Sequence, residues 1–169
     1  RVEASAPDRD PVSNEETFIY VDETQEPDEP VIPEDTHENC LTLVNAQIST
    51  IAGDSVIITE ALGCDDFSSI ATANEGYTIE ESKETAYYGT GTVIKVLKDG
   101  EVVKTYILVV KSDVNGDGVC DSLDCSEVEK FNSGHDVGFD DIQLLAADLN
   151  NDENVDYLDY EIFVEKATT

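Results

Sequence analysis

"DVNGDGVCDSLD", Asp113 to Asp124, places an acid or amide at its first, third, fifth, ninth and twelfth positions and a glycine, Gly118, at its sixth. That density of negative oxygen suits a hard cation. Calcium takes six to eight oxygen ligands at roughly 2.3–2.6 Å, and a twelve-residue loop can supply them from alternate positions when its sixth residue turns sharply. The expected donors are Asp113, Asn115, Asp117, the Val119 carbonyl, Asp121 (directly or through water) and Asp124. Gly118 falls where the chain needs positive φ, which glycine adopts without steric cost.

The pattern recurs 35 residues later in "DLNNDENVDYLD", Asp148 to Asp159. Its donors are Asp148, Asn150, Asp152, Asp156 and Asp159, with Asn154 offering the carbonyl, and Leu123 and Leu158 match just before each closing Asp. A repeat that keeps its ligands in register is a structural unit used twice. Two calcium ions are therefore expected, with folding of residues 113–166 dependent on them, and chelation is expected to spare the preceding segment. The second loop carries Glu153 where the turn favours glycine, so its site is expected to be the weaker. After the first loop "CSEVEKF" sets Cys125, Val128 and Phe131 at helical spacing, and after the second "YEIFVEKA" does so with Tyr160, Phe163 and Val164. "DDIQLLAAD" between them reads as a connecting helix burying Ile142, Leu145 and Ala146.

Three zones divide the 169 residues. Residues 1–39 hold all 5 prolines and thirteen acids against Arg1 and Arg9, a composition that cannot bury enough apolar surface to offset ordering. This zone reads as an acidic, Pro-rich linker. "TFIYV", Thr17 to Val21, is either a sticky island in it or an edge strand added to the next module. Residues 40–111 contain "LTLVNAQIS", "SVIITEA", "YTIEES", "GTVIKVLKD" and "EVVKTYILVV", β-branched runs of strand length. Asp99-Gly100 marks a hairpin turn between the last two, and "DDFSSIATA" holds one helical turn capped by Asp65 or Asp66. This zone is expected to be a small all-β, sandwich-like module. Residues 112–169 form an all-α module with the two EF-hand-like loops, making the chain multi-domain.

Charge narrows the partners. With 39 acids against 9 bases the formal net charge is −30, which disfavours nucleic acid and anionic membranes, since both need basic patches. No run approaches the ~18 apolar residues of a membrane span, so no direct membrane insertion is expected. The chain has no methionine and is read as a C-terminal piece of something longer. Residues 40–111 hold no histidine and no credible nucleophile–base pair, and His37 and His135 fall in linker and loop with no CxxC nearby, so neither enzymatic activity nor a zinc site is expected.

Two features depart from an ordinary EF-hand: both loops close with Asp rather than Glu, and the first follows the strand "YILVV" instead of a helix. A duplicated loop–helix unit of this kind, C-terminal to a linker, resembles the type I dockerin family over residues 113–166. The β module resembles the small β domains found next to dockerins in secreted proteins of gut and cellulolytic Firmicutes. The resemblance implies a calcium-dependent module that binds a cohesin domain, attaching its parent to a scaffold or cell-surface complex of the cellulosome or amylosome kind. It implies an extracellular setting, secreted or surface-attached. It also implies recognition through Ser122 and Leu123 in the first repeat and Tyr157 and Leu158 in the second, with Glu129, Lys130, Val164 and Glu165 as helical companions. The mismatch of Ser122 with Tyr157 breaks the twofold likeness of the repeats, so one preferred binding orientation is expected.

An alternative is a calcium-stiffened surface stalk or adhesin whose β module binds glycan or another ligand through Tyr77, Tyr87, Tyr88 or Tyr106. A hydrolase fragment is a third class, disfavoured by size and modularity. Four cysteines allow three pairings. Proximity favours Cys40–Cys64 and Cys120–Cys125, the second pair being equally readable as buried thiols.

Overall fold

The computed structural model describes residues 39–135 and 138–168, all within one compact unit, Asp35–Thr169. The linker reading of residues 1–38, the alternatives for Thr17–Val21 and the placement of His37 lie outside the described residues. The described chain is a β-rich region in two sheets followed by three helices.

Strands β1 (Leu41–Leu43), β2 (Ala46–Ile51), β3 (Asp54–Thr59), β4 (Ala71–Ala73), β5 (Tyr77–Ser82), β6 (Val93–Lys98) and β7 (Glu101–Val110) come first. A 3-10 turn, Phe67–Ser69, precedes β4 and is capped by Asp66, whose carboxylate accepts from the Ser68 N–H at 2.9 Å. Five strands form one sheet in the order β2-β3-β7-β6-β5, while β1 and β4 make an antiparallel ribbon. Neighbours run antiparallel except β3 and β7, which are parallel from Val56↔Ile107 to Thr59↔Val110. Asp99 and Gly100 turn β6 into β7 with φ of 54° and 85°; two successive positive φ angles match the twist of the flanking strands.

The apolar run "YILVV" ends the central strand, and each side of it meets a different layer. Tyr106, Leu108 and Val110 join Ile57, Ile94 and Val96 under the ribbon residues Cys40, Ile70 and Ala71. On the opposite face Val56, Ile58 and Val109 pack against Val114, Val128, Ala146, Ala147 and Phe163. A strand covered on both faces carries continuous rather than alternating hydrophobicity, which is what this segment shows. Each wholly buried Val, Leu, Ile or Phe contributes roughly 1.5–3 kcal/mol, so the sheet's second face depends substantially on the helices α1 (Ser122–Asn132), α2 (Asp141–Ala147) and α3 (Tyr157–Ala167).

The connection between the layers is short and buried. Only Lys111 and Ser112 separate β7 from Asp113, and they are 6% and 0% exposed. The Lys111 N–H donates to the Thr59 carbonyl at 2.8 Å and the Ser112 N–H to the Ala146 carbonyl at 3.0 Å. The Lys111 ammonium donates to the Asp148 carbonyl. Burial pushes this lysine's pKa below its ordinary value, an effect opposed by the nearby Asp148 and Asp159 carboxylates.

Candidate metal loops and docking face

Both acid-rich loops end as helix N-termini, and the same acids shape both. Asp121 caps α1 by accepting from the Leu123 N–H at 2.7 Å, and Asp156 caps α3 by accepting from Leu158 at 2.7 Å. The closing acids reach back: Asp124 Oδ2 accepts from the Asp121 N–H and Asp159 Oδ2 from the Asp156 N–H, each at 3.0 Å. These are capping boxes with Asp at the third helical position. The other oxygen of each closing acid gathers the loop's beginning. Asp124 Oδ1 accepts from Val114 and Asn115 at 2.9 and 3.2 Å, and Asp159 Oδ1 accepts from Leu149 and Asn150 at 2.7 and 3.1 Å. Every one of these partners is shifted by the repeat length, so the register seen in the sequence is a register of hydrogen bonds.

The remaining expected donors fold inward along each loop. Asp113 accepts from Gly116 and Gly118 at 2.8 and 3.1 Å; Asp148 accepts from Asp152 and Glu153 at 3.2 and 3.1 Å. Asn115 accepts from the Asp117 N–H at 2.9 Å and Asp117 from the Val119 N–H at 3.0 Å. Asn150 and Asp152 do the same for Asp152 and Asn154, at 2.9 and 3.0 Å. The Asn154 amide also donates to Asp156 at 3.3 Å. In the second loop the carboxylates of Asp148, Asp152 and Asp159 bring ligand atoms within 4.8 Å of one another, the group with that spacing among the described residues. In the first loop Asp113 and Asp124 lie wholly buried, as Asp159 does in the second.

Buried carboxylates need a counter-charge or lose their ionisation. The Lys111 ammonium lies near Asp159, whereas among the described residues no ion pair reaches Asp113 or Asp124. Burial accordingly lifts the Asp113 carboxyl above its ordinary value, against the N–H groups of Thr90, Gly118 and Gly116. It lifts the Asp124 carboxyl to about 6, with the Asp113 charge adding to the effect and three backbone N–H groups opposing it. An all-oxygen donor set in which Asp113 and Asp124 are desolvated without a paired cation fits calcium.

The two loops differ in the residues that carry their strained turns. Gly116 and Gly118 have φ of 81° and 84°, and their counterparts Asn151 and Glu153 have 59° and 67°. Glycine is obligatory in the first loop because the β-rich region presses against it. A Cβ on Gly116 would lie 2.6 Å from the Thr90 carbonyl oxygen, and one on Gly118 would lie 2.6 Å from the Tyr87 Cβ. The Thr90 N–H donates to Asp113 Oδ2 at 2.9 Å and the Gly63 N–H to the Gly118 carbonyl at 2.8 Å. Sequence reasoning did not find Gly63, Gly89, Thr90 or Lys111. The glycines of "YYGTG" were a visible signal of close backbone approach, but not of what approaches.

All eight residues expected at a partner interface are exposed: Ser122, Leu123, Glu129, Lys130, Tyr157, Leu158, Val164 and Glu165. Leu123 and Leu158 are 59% and 55% exposed and Tyr157 is 64% exposed, despite their apolar bulk. The buried side of the helices is Val128, Ala146, Ala147 and Phe163, with Cys125, Ile142, Leu145 and Tyr160 partly buried against it. The Tyr157 ring lies 5.9 Å from that of Tyr160, beside an open groove of about 470 Å³ that Glu129 and Phe131 border from α1.

Residues 111–166 match the family model of the dockerin type I domain. The chain carries a type I dockerin domain. Comparison with curated proteins and with solved structures gives no match. Dockerin domains bind calcium and dock onto cohesins, and they occur in extracellular or cell-surface proteins. No helix among the described residues is long and apolar enough to cross a membrane.

All four cysteines are free thiols. Cys40 and Cys64 lie at the ribbon-side core, with Cys40 Sγ 3.6 Å from the Tyr106 hydroxyl, and Cys120 and Cys125 lie at the core beneath the dockerin. Each expected pair thus shares a core without a bond. Burial raises the Cys120 and Cys125 thiol pKa values, which lowers their thiolate fraction and their reactivity.

Proposed function

We propose that the dockerin domain holds two calcium ions, one per loop, and docks a single cohesin in one preferred orientation. In doing so it attaches its parent protein to a scaffold or cell-surface complex of the cellulosome or amylosome kind. Asp113, Asn115, Asp117, the Val119 carbonyl, Asp121 and Asp124 would hold the first ion. Asp148, Asn150, Asp152, the Asn154 carbonyl, Asp156 and Asp159 would hold the second. Bound calcium would supply the positive charge that the buried Asp113 and Asp124 carboxylates lack and would add to that of Lys111 beside Asp159. The chain's own residues then present the partner surface, because each closing acid belongs both to its loop and to the cap of the helix bearing Leu123 or Leu158. The module itself performs no catalysis in this reading.

The observation that carries the orientation is the contrast at one rim position. Leu123 and Leu158 stand alike on the two repeats, whereas Ser122 presents a small hydroxyl where Tyr157 presents an exposed ring. A pocket shaped for one cannot be filled equally by the other, and about 1.4 kcal/mol already biases two modes tenfold. Exposed Tyr and Leu on a polar rim are the groups from which interfaces draw their energy. The glycan-binding alternative is less favoured, since Tyr88 and Tyr106 are 4% and 2% exposed, which leaves Tyr87 as the exposed ring of that set.

The test titrates the cognate cohesin, in saturating calcium, against Ser122→Ala/Leu123→Asp and Tyr157→Ala/Leu158→Asp. One pair is expected to abolish binding and the other to weaken it modestly. Equal small losses would mean two interchangeable modes, and no loss from either pair would move the docking surface elsewhere.

A further inference from the structure

We infer that the segment Tyr87–Thr90, in the connection between β5 and β6, is a working part of the first calcium loop. It holds that loop in its ligating shape, so that calcium occupancy there and the closure of this segment onto the loop form one coupled equilibrium. Among the described residues no comparable clasp reaches the turn of the second loop, where the β7 side makes contact through the Lys111 ammonium on the Asp148 carbonyl. The inference rests on the calcium reading above and adds to it a positioning element more than twenty residues upstream of the first ligand.

Three independent contacts carry it. The Thr90 N–H donates to Asp113 Oδ2, the oxygen that also accepts from Gly118. One hydrogen bond from the β-rich region therefore orients the first acid of the loop and shares that work with the loop's own turn. Next, the backbones of Gly89 and Gly116 are in such close approach that a Cβ on Gly89 would lie 2.2 Å from the Gly116 carbonyl oxygen and 2.8 Å from Asp113 Oδ2. Finally, Gly118 is enclosed between the Tyr87 Cβ and the Tyr88 carbonyl, which a Cβ would meet at 2.6 and 2.9 Å, while its own carbonyl accepts from Gly63. Tyr88 is anchored in the ribbon-side core, where its ring lies 5.5 Å from that of Phe67 and its hydroxyl donates to Glu81. Thr90 is anchored by its hydroxyl, which donates to the Val110 carbonyl at 3.1 Å and accepts from the Val110 N–H at 3.0 Å. The clasp is thus fixed to the sheet at one side and to the ligating loop at the other.

The asymmetry between the loops supports the same reading. Where the clasp presses, both left-handed positions are glycine; where it is absent, Asn151 and Glu153 occupy them with exposed side chains. Steric pressure from the β-rich region, rather than backbone geometry alone, accounts for glycine in one loop and its absence from the other.

Gly89→Ala is a clean perturbation, because Gly89 is not in the left-handed region and Ala can adopt its backbone. Its cost therefore falls on the contact with the loop. The two loops can be read separately in the full chain by amide NMR during a calcium titration. The Gly118 N–H donates to Asp113 in the first loop, and the Glu153 N–H donates to Asp148 in the second. Gly89→Ala is expected to weaken the calcium response at Gly118 by about tenfold or more and to leave that at Glu153 within about twofold. Val96→Ala, which opens the ribbon-side core away from the loop, controls for general loosening of the sheet and is expected to leave both responses unchanged.

A second measurement needs no substitution. In the unaltered chain, hydrogen exchange at the Thr90 amide should quicken on chelation together with that at Gly118. An unchanged Gly118 response in Gly89→Ala, an equal fall at both loops, the same selective loss in Val96→Ala, or Thr90 exchange indifferent to calcium would each overturn the inference. If neither amide of the unaltered chain responds to calcium, the calcium reading itself falls.

Discussion

Replacing Glu153 with glycine tests whether backbone strain limits the second loop. Glu153 sits at φ 67° with its side chain exposed, and its counterpart Gly118 sits at φ 84°. An L-residue in the left-handed region costs roughly 1–2 kcal/mol. Glycine returns about 0.5–1 kcal/mol of that through its larger loss of chain freedom on folding. The net relief is about 0.5–1 kcal/mol, and where loop ordering is coupled to ion binding it appears as a Kd about two- to fivefold tighter. Removing a carboxylate works in the opposite direction, since Glu153 adds negative charge near the ion. Competition calorimetry against a calcium chelator, with the second loop's amide signals assigning the site, decides between the two. Tighter binding at the second loop supports strain. Weaker binding would show that charge outweighs it, and an unchanged Kd would refute the claim that the turn matters. Gly118→Ala provides the contrast: its Cβ would meet Tyr87 at 2.6 Å, so loss of the first site is expected.

Two further outcomes follow from the shared core and the buried acids. Phe163→Ala empties a wholly buried position between α3 and the sheet and is expected to cost about 3–5 kcal/mol. Denaturant melts followed at Ile58 and Val109 amides should shift with it, and a sheet whose stability is unmoved would refute the shared core. The pH dependence should change sign with calcium. The Asp124 carboxyl is raised to about 6 from 3.8 by burial, so the calcium-free fold binds this proton more tightly than the unfolded chain. Its contribution to stability is present at low pH and lost as pH rises through about 6. The calcium-loaded chain should instead lose stability as pH falls through that window, because protons displace the ion. Thermal melts with calcium and with chelator between about pH 4 and pH 6 should therefore slope in opposite directions.

The register of the two loops was legible because its signal is local: acids and amides at fixed spacing take the same hydrogen-bonding positions in both repeats. Strands β5, β6 and β7 and all three helices were legible for the same reason, from β-branched runs, the Asp99-Gly100 turn and helical spacing. Pairing was not. The parallel contact of β3 with β7 joins segments about fifty residues apart, and periodicity carries no information about which strands meet. Strand β4 was hidden inside "DDFSSIATA", where the capped turn at Phe67 gave the stronger signal and only Ala71–Ala73 pairs with β1. Expecting chelation to spare the β module took the two zones as independent, yet Val56, Ile58 and Val109 share a core with Val128 and Phe163. The capping roles of Asp121, Asp124, Asp156 and Asp159 were present in the Asp-x-x-Asp spacing, masked by the more conspicuous metal pattern.

The buried two-residue passage from β7 to Asp113 leaves no slack between sheet and dockerin. Lys111 and Ser112 are both tied by hydrogen bonds to neighbouring segments, so this joint does not swivel when the docking face is held. A pull on that face is handed straight to the end of β7, which lies between β3 and β6. Drawn lengthwise, such a strand loads its hydrogen-bonded borders on both sides together, whereas an edge strand peels one bond at a time. The fold thus joins the dockerin to the central strand of its five-stranded sheet, paired on both sides.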